Sequence, residues 1–144
     1  MKKGLTLLEV LLVIAIFAII FAFSAPFALN FYRTQLIEET RSEVIFALQA
    51  AKHGAVLQKN DSNFGVHFMA GNYTIFQGNS YANRIADQDE VFLVKNDIIF
   101  SGLTDIVFLK QTGLPSATGT IILTNENDTR GILVGNSGDA SKIN

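Results

Sequence analysis

The residues that could do chemistry in this 144-residue chain are concentrated near its N-terminus. Lys2 and Lys3 precede Gly4, and Glu9 follows at the front of a run without charged residues. Placing a carboxylate in hydrocarbon costs about 2.5–3.5 kcal/mol on insertion scales, so Glu9 needs a cationic partner. Cleavage between Gly4 and Leu5 would create an ammonium group at Leu5, one helical turn from Glu9. The spacing therefore predicts a charge pair that depends on proteolytic processing.

The uncharged run that follows Glu9 would place this charge pair in an apolar environment. Residues 10–32 include no charged side chain. At about 1.5 Å per residue they form a helix of about 35 Å, whereas a bilayer core is about 30 Å thick. The run therefore predicts a membrane-crossing helix. The two lysines before it favour a cytoplasmic N-terminus, with the rest of the chain on the other side of the membrane.

Two ordinary explanations account for this segment less well. A secretory signal peptide has an apolar centre of about 7–15 residues and ends at a small-residue cleavage site. Here the apolar run is longer, Glu9 interrupts its start, and Pro26 directly follows Ala25. A simple one-pass anchor has no use for an acid in front of the apolar run. Neither explanation accounts for a Lys-Lys-Gly sequence followed by an acid at this spacing.

The segment resembles the leader of the type IV pilin and type II secretion pseudopilin superfamily. The resemblance rests on the basic leader ending at Gly4, the Thr-Leu-Leu-Glu start that ends at Glu9, the apolar helix and Pro26. It implies that a prepilin peptidase cuts between Gly4 and Leu5, and that Leu5 is then N-methylated. It also implies that Glu9 neutralises the amine of a neighbouring subunit in a filament. Leu5 departs from the family pattern, in which phenylalanine is most common.

The helix is predicted to continue beyond the apolar run, with a kink caused by Pro26, because proline removes a backbone donor and clashes with the preceding turn. Apolar residues then recur at three- or four-residue steps: Leu29, Tyr32, Leu36, Val44, Leu48, Ala51 and Ala55. Charged residues mostly take the other side: Arg33, Glu38, Glu39, Arg41, Glu43 and Lys52. Gly54 suits the position just after a helix, so one helix is predicted from about Leu5 to His53.

From residue 55 onward the pattern changes to short strands separated by turn-rich segments. The predicted strands cover residues 55–58, 64–69, 73–77, 91–94, 98–100, 106–110, 120–124 and 131–134. Residues 78–90 read as a polar loop, residues 95–97 as a tight turn, and residues 125–129 as the turn of a hairpin. The predicted fold class is α+β, in which the long N-terminal helix packs on antiparallel β-sheet.

The C-terminal half is similar to the H-type minor pseudopilins and minor pilins, the GspH/FimT-type family. The similarity is carried by these residues: Phe108, Thr112–Pro115, Gly119–Leu123, Arg130–Val134 and Gly138. It implies a pilin-like fold and a minor subunit of a type II secretion pseudopilus or a type IV pilus. Two alternatives stay open, a DNA-binding minor pilin for DNA uptake and a major pilin subunit.

The predicted organisation has three parts: a leader over residues 1–4, a transmembrane and filament-core helix over 5–31, and a head domain over 32–144. The chain has no cysteine, so the head must fold without disulfides. Its net charge is −2, and loss of the leader leaves nine basic against thirteen acidic residues, or −4. DNA-binding relatives carry a basic segment after the closing glycine. Here Asp139 and Lys142 carry one charge each, which argues against DNA as a partner.

No residue pattern predicts an enzyme, a cofactor or a metal site. The chain lacks a Gly-x-Ser-x-Gly motif, and His53 and His67 are too far apart in sequence to suggest a metal pair. The acidic cluster at residues 87–90 has oxygens for calcium but lacks the spacing and glycine of a known loop. The resemblance instead implies these partners: other pilin-type subunits, the prepilin peptidase, the inner-membrane assembly platform and the lipid bilayer of a bacterial inner membrane.

Overall fold

The structure is a computed structural model that describes residues 6–94, 98–126 and 128–143, and the side chains of residues 24–26 lie outside this description. A single long helix, α1 (Leu7–Val56), precedes the strands. The strands are β1 (Phe64–Met69), β2 (Asn72–Gln77), β3 (Glu90–Leu93), β4 (Ile99–Gly102), β5 (Asp105–Phe108), β6 (Gly119–Thr124), β7 (Thr129–Val134) and β8 (Ala140–Ile143). Short 3₁₀ turns lie at Lys59–Asp61, Tyr81–Asn83 and Ala86–Gln88.

The strands form two four-stranded antiparallel sheets. The first has the order β3-β2-β1-β5 and the second has the order β4-β6-β7-β8. In the first sheet Val66 of β1 lies opposite Ile75 on one side and Ile106 on the other. In the second sheet Ile121 of β6 lies opposite Ile132 of β7. The predicted α+β class, with a helix on antiparallel sheets, is confirmed.

The core of the head forms where α1 lies across strands of both sheets. Helix residues at steps of three, four and seven supply one side of it: Ile37, Val44, Leu48, Ala51 and Ala55. The sheets supply the other side with β-branched, leucine and aromatic side chains: Val66, Phe68, Tyr73, Ile106, Phe108, Ile121, Leu123, Ile132 and Val134. These positions alternate along the strands, because successive side chains of a strand point to opposite faces.

The end of the helix differs from the prediction. α1 continues through Gly54 to Val56, so residues 55–58 do not form a strand. The left-handed residue after the helix is Gln58, with φ 53°. Gly54 instead allows close packing, since a Cβ atom there would lie 3.2 Å from the ring of Phe64. The helix extends because the free energy gained by burying Ala55 in the core exceeds the cost of keeping Gly54 in a helix.

The predicted amphipathic stripe is correct only from Leu36 onward. Leu29 and Tyr32 are exposed, since the head packs on α1 only further along the helix. Arg41 was expected on the solvent side but is 5% exposed. Its guanidinium donates to the Ile143 carbonyl at 3.1 Å and pairs with Glu38 at 3.0 Å. Arg41 is therefore buried because the chain end supplies partners that a helix pattern cannot reveal.

Most strands lie where the sequence predicted them, with two differences. The strands on either side of residues 95–97, β3 and β4, belong to different sheets, and the tight turn predicted there lies outside the described residues. Residues 140–143 were not predicted as a strand, yet β8 pairs with β7 from Val134 and Ala140 to Gly131 and Ile143. Their polar sequence gives no strand signal, and the pairing arises because the free edge of β7 is available.

Candidate functional site

The candidate site is the front half of α1, which we define as residues 7–32. Its large apolar side chains are exposed, and an 18-residue window of mean hydropathy 2.8 has no buried residue. Within the described residues, α1 is the one helix long and apolar enough to cross a membrane, judged by length and composition. An apolar surface of this length is unfavourable in water, so it requires a lipid or protein environment.

Thr6 and Glu9 organise the start of this helix. Thr6 is the N-cap residue, and its Oγ1 atom accepts a hydrogen bond from the Glu9 amide at 3.3 Å. Glu9 stands in the first turn, where a negative charge is stabilised by the helix dipole. Thr6-x-x-Glu9 has the spacing of a capping box, a local signal that is visible in the sequence. Thr6 thus fixes where the helix begins relative to Glu9.

The other predicted site residues are described by the structure only in part. Gly4 and Leu5, the predicted cleavage and methylation positions, lie outside the described residues. Glu9 lies in the exposed front half, and the structure gives no ion pair for it among the described side chains. At Pro26 the helix assignment is continuous, and the predicted kink stays a prediction because that side chain is not described.

The back half of α1, residues 33–56, is held by a charged network centred on Glu38. Arg130 donates to Glu38 at 2.8 Å, and Arg130 also pairs with Asp128 at 2.9 Å. Lys142 lies 3.5 Å from Glu38. Partial burial would raise the pKa of Glu38, but the hydrogen bond from Arg130 and the charges of Arg41, Lys142 and Arg130 outweigh it and lower that pKa. The network joins the helix to β7 and β8.

The basic residues that could have formed a DNA-binding patch do not form one. Arg130 and Lys142 meet at Glu38, where the carboxylate offsets their charge. Lys110 lies apart from them and pairs with Asp61 at 2.9 Å. Phosphate binding needs clustered, unpaired cations. The arrangement therefore gives no support to a DNA-binding role for these three residues.

The acidic cluster at residues 87–90 is partly explained by an ion pair. Asp89 accepts from Arg84 at 2.6 Å, and the Arg84 guanidinium lies 3.9 Å from the centre of the Tyr81 ring. That ring in turn stacks on His67 at 3.8 Å. No group of three or more metal-ligating side chains occurs among residues 6–94, 98–126 and 128–143. The ordered layers of Arg84, Tyr81 and His67 hold the loop against β1.

One comparison with known proteins concerns the N-terminus and the front half of α1. Residues 1–25 match the family model described as the prokaryotic N-terminal methylation motif. This motif match, together with the fold comparison below, supports the resemblance to the type IV pilin and type II pseudopilin superfamily.

The fold is similar to that of a solved structure, the minor pseudopilin EpsH from the Type 2 Secretion System of Vibrio cholerae. The TM-score is 0.58 and the sequence identity is 11%, over 75% of this chain and 96% of that chain. At this identity the likeness establishes the fold alone. No curated protein sequence matches the chain significantly.

Proposed function

We propose that the chain is a minor pilin or pseudopilin that primes or caps a filament built with other subunits. The observation that carries the proposal is the exposed front half of α1, whose only charged side chain is Glu9. An exposed apolar helix buries its surface either in lipid or among the corresponding helices of other subunits. The solved structure with a similar fold is described as a minor pseudopilin, which favours the minor over the major role.

Maturation is proposed to remove residues 1–4 by prepilin peptidase and to methylate the new amine of Leu5. Residues 5–31 then serve as transmembrane and filament-core helix, and residues 32–144 form the head. Lys2 and Lys3 keep the N-terminus on the cytoplasmic side of the inner membrane, beside the assembly platform, with the head outside. The exposed apolar side chains before Arg33, and the contacts of the head with α1 beyond it, support this division.

Assembly is proposed to pair the Glu9 carboxylate with the Leu5 ammonium of a neighbouring subunit. Two unit charges about 4 Å apart attract by about 4 kcal/mol at an effective dielectric of 20. Removing one partner of a buried pair costs about 3–5 kcal/mol, because the other charge is left unpaired. The kink proposed at Pro26 would let the rod bend as it leaves the bilayer and enters the filament.

Glu9→Ala tests the pairing directly. The variant should insert into the membrane normally but enter filaments at least about tenfold less well, since a loss of about 3 kcal/mol exceeds a tenfold effect. Thr6→Ala is the matched control, because it removes only the N-cap and costs about 1 kcal/mol of helix stability. Quantitative immunoblots of membrane and filament fractions measure both. Normal incorporation of Glu9→Ala would refute the pairing.

Mass spectrometry of the mature N-terminus tests the processing. The expected chain begins at Leu5 with one added methyl group, and a different first residue would refute the cleavage site. The amount of this subunit relative to the most abundant filament protein tests the minor role. A subunit that makes up the bulk of purified filaments would refute it.

A further inference from the structure

A groove of about 630 Å³ lies in the head, away from the front half of α1. One wall is the solvent-facing side of the back half of α1, with Glu43 and Phe46, and the other wall is β3. Tyr73 and Ile75 of β2 form its floor. Phe46 is 70% exposed, although it faces other apolar side chains across the groove. The size is within the range of small-molecule pockets, about 300–1,000 Å³.

The strand beside this groove has an unpaired edge. β3 ends the sheet order and pairs only with β2 among the described strands. The Val94 amide donates to the Gly71 carbonyl at 2.9 Å. In an antiparallel ladder, hydrogen-bonded residue pairs alternate with non-bonded pairs, so every second residue of β3, counted back from Val94, bonds to β2. Val91 and Leu93 therefore direct their amides and carbonyls away from β2. Their side chains are 58% and 84% exposed.

The opposite edge of the same sheet is closed. The Ser116 amide donates to the Val107 carbonyl of β5 at 2.7 Å, and the Val107 amide donates to the Ser116 hydroxyl at 3.0 Å. The Leu109 amide likewise donates to the Leu114 carbonyl at 2.9 Å. A free edge without lysine, proline or a covering loop is a template for another strand. Within the described residues, β3 has none of these protections along Glu90–Leu93.

The groove also carries negative charge. Glu43 and Glu90 both line it and are exposed, and no lysine or arginine lines it in the described part of the chain. Burial raises the pKa of Tyr73 to about 12, and the nearby Glu43 carboxylate adds to this shift. Charge complementarity therefore favours a cationic occupant.

We propose that the groove and the free edge of β3 bind an extended, basic segment of a different protein chain. The segment adds as a strand beside β3, with its backbone bonded to Val91 and Leu93. Its apolar side chains pack on Phe46 and Phe92, and its lysine or arginine lies between Glu43 and Glu90. This mode of recognition takes affinity from main-chain bonds and specificity from alternate side chains.

A second copy of this chain fits the groove less well. The exposed strand Ile99–Gly102 of β4 has no basic residue. Lys142 of β8 is already bonded to Ser42 at 3.1 Å and lies beside Glu38. The inference does not rest on the filament role, because no groove residue lies in residues 7–32.

Three synthetic eight-residue peptides test the proposal with the full-length protein in detergent micelles. The first carries valine and lysine in turn at every second position, so that both lie on one face of the strand, with threonine at the positions between. The second replaces lysine with glutamate, and the third is the first with alternate backbone nitrogens methylated. The basic peptide should slow exchange of the Val91 and Leu93 amides at least about tenfold, as new hydrogen bonds do. The acidic peptide should bind at least about tenfold more weakly because of the two carboxylates. The methylated peptide should give no protection.

Two variants separate the components of the site. The Glu43→Gln and Glu90→Gln double variant should bind the basic and acidic peptides equally. Leu93→Pro should abolish protection of the Val91 amide, because it removes an outward donor that β2 does not use. Leu109→Ala, at an exposed residue beyond the opposite edge, should leave binding unchanged.

Several outcomes would overturn the proposal. If the basic peptide left amide exchange at Val91 and Leu93 unchanged, the proposed strand addition would be refuted. Equal binding of basic and acidic peptides by the native chain would remove the charge selectivity. Protection of these amides without any peptide, rising with protein concentration, would identify a second copy as the occupant. If Leu93→Pro alters the amide spectrum of β1 and β2, the methylated peptide still decides the point.

Discussion

The two halves of α1 share one secondary structure but are stabilised in different ways. The front half exposes apolar side chains all round and carries one charge, Glu9. The back half buries one stripe, including Val44 and Leu48, and presents charges beside it. Helices gain most of their stability from the packing of a face rather than from propensity. The strands of the head supply that packing for the back half of α1. The front half has no such strands beside it and requires an apolar environment outside the head.

Polar contacts follow the same division. Thr34 lies where the helix meets the head, and its hydroxyl donates to Asp128 at 2.8 Å. Arg33 pairs with Glu126 at 2.8 Å just before it. Beyond this point Glu38, Arg41 and Lys52 all bond to residues of the C-terminal strands or the turn before β8. The head thus fixes the back half both by packing and by charge.

The largest expected contrast comes from removing the same leucine atoms in each half. Leu48 is fully buried, so Leu48→Ala should lower the free energy of unfolding of the head by about 2–5 kcal/mol. Leu12→Ala should leave it unchanged, since Leu12 is exposed in the front half. Denaturant unfolding of the full-length protein in detergent, followed by near-ultraviolet circular dichroism, measures both. Equal losses would mean that the two halves unfold as one unit.

Placing a charge in each half gives the next contrast. Ile14→Lys should raise the free energy of the front half in a bilayer by about 2.5–3.5 kcal/mol. Gln49→Lys should have little effect, because Gln49 is exposed on the back half. A glycosylation-mapping assay reports insertion, in a Leu11→Ala and Leu12→Ala background that keeps insertion below saturation. Undiminished insertion of Ile14→Lys there would contradict a lipid-facing front half.

The buried Arg41 should matter more than Arg33, which lies at the boundary. Arg41→Met removes the donor to the Ile143 carbonyl and a charge partner of Glu38, so we expect a loss of about 1–3 kcal/mol in unfolding free energy. Arg33→Met breaks an exposed pair worth about 0.2–1 kcal/mol. Thermal unfolding measures the difference. A loss for Arg41→Met below about 1 kcal/mol, the range of an exposed pair, would show that Arg41 contributes little to docking of β8.

The smallest expected effect is a pH dependence carried by Glu38. Its pKa is lowered in the folded state, so its stabilising contribution is present above the unfolded value of about 4.5 and is lost as the pH falls through the folded pKa. Glu38→Gln should flatten the decline in head stability below pH 5, by about 0.2–1 kcal/mol. Glu39→Gln, at an exposed neighbour, is the control. An equally steep decline in both variants would assign the pH dependence to other carboxylates.

Much of the fold could be predicted because the patterns are local. The hairpins of β1 with β2 and of β6 with β7 follow from alternating residues around turn-rich segments. The end of α1, the burial of Arg41 and the strand β8 could not be predicted. Each depends on a partner distant in sequence: Phe64 beside Gly54, Ile143 beside Arg41, and β7 beside β8.

The sequence by itself determined that an uncharged rod follows Glu9, and that an α+β head follows the rod. Hydropathy and periodicity report the medium that each segment needs, and these signals are carried by neighbouring residues. Only the tertiary structure decided where the rod meets the head, which cations surround Glu38, and which edge of the first sheet stays open. Those features depend on contacts between residues far apart in the chain, and a pattern of neighbouring residues in the sequence does not show which of these contacts form.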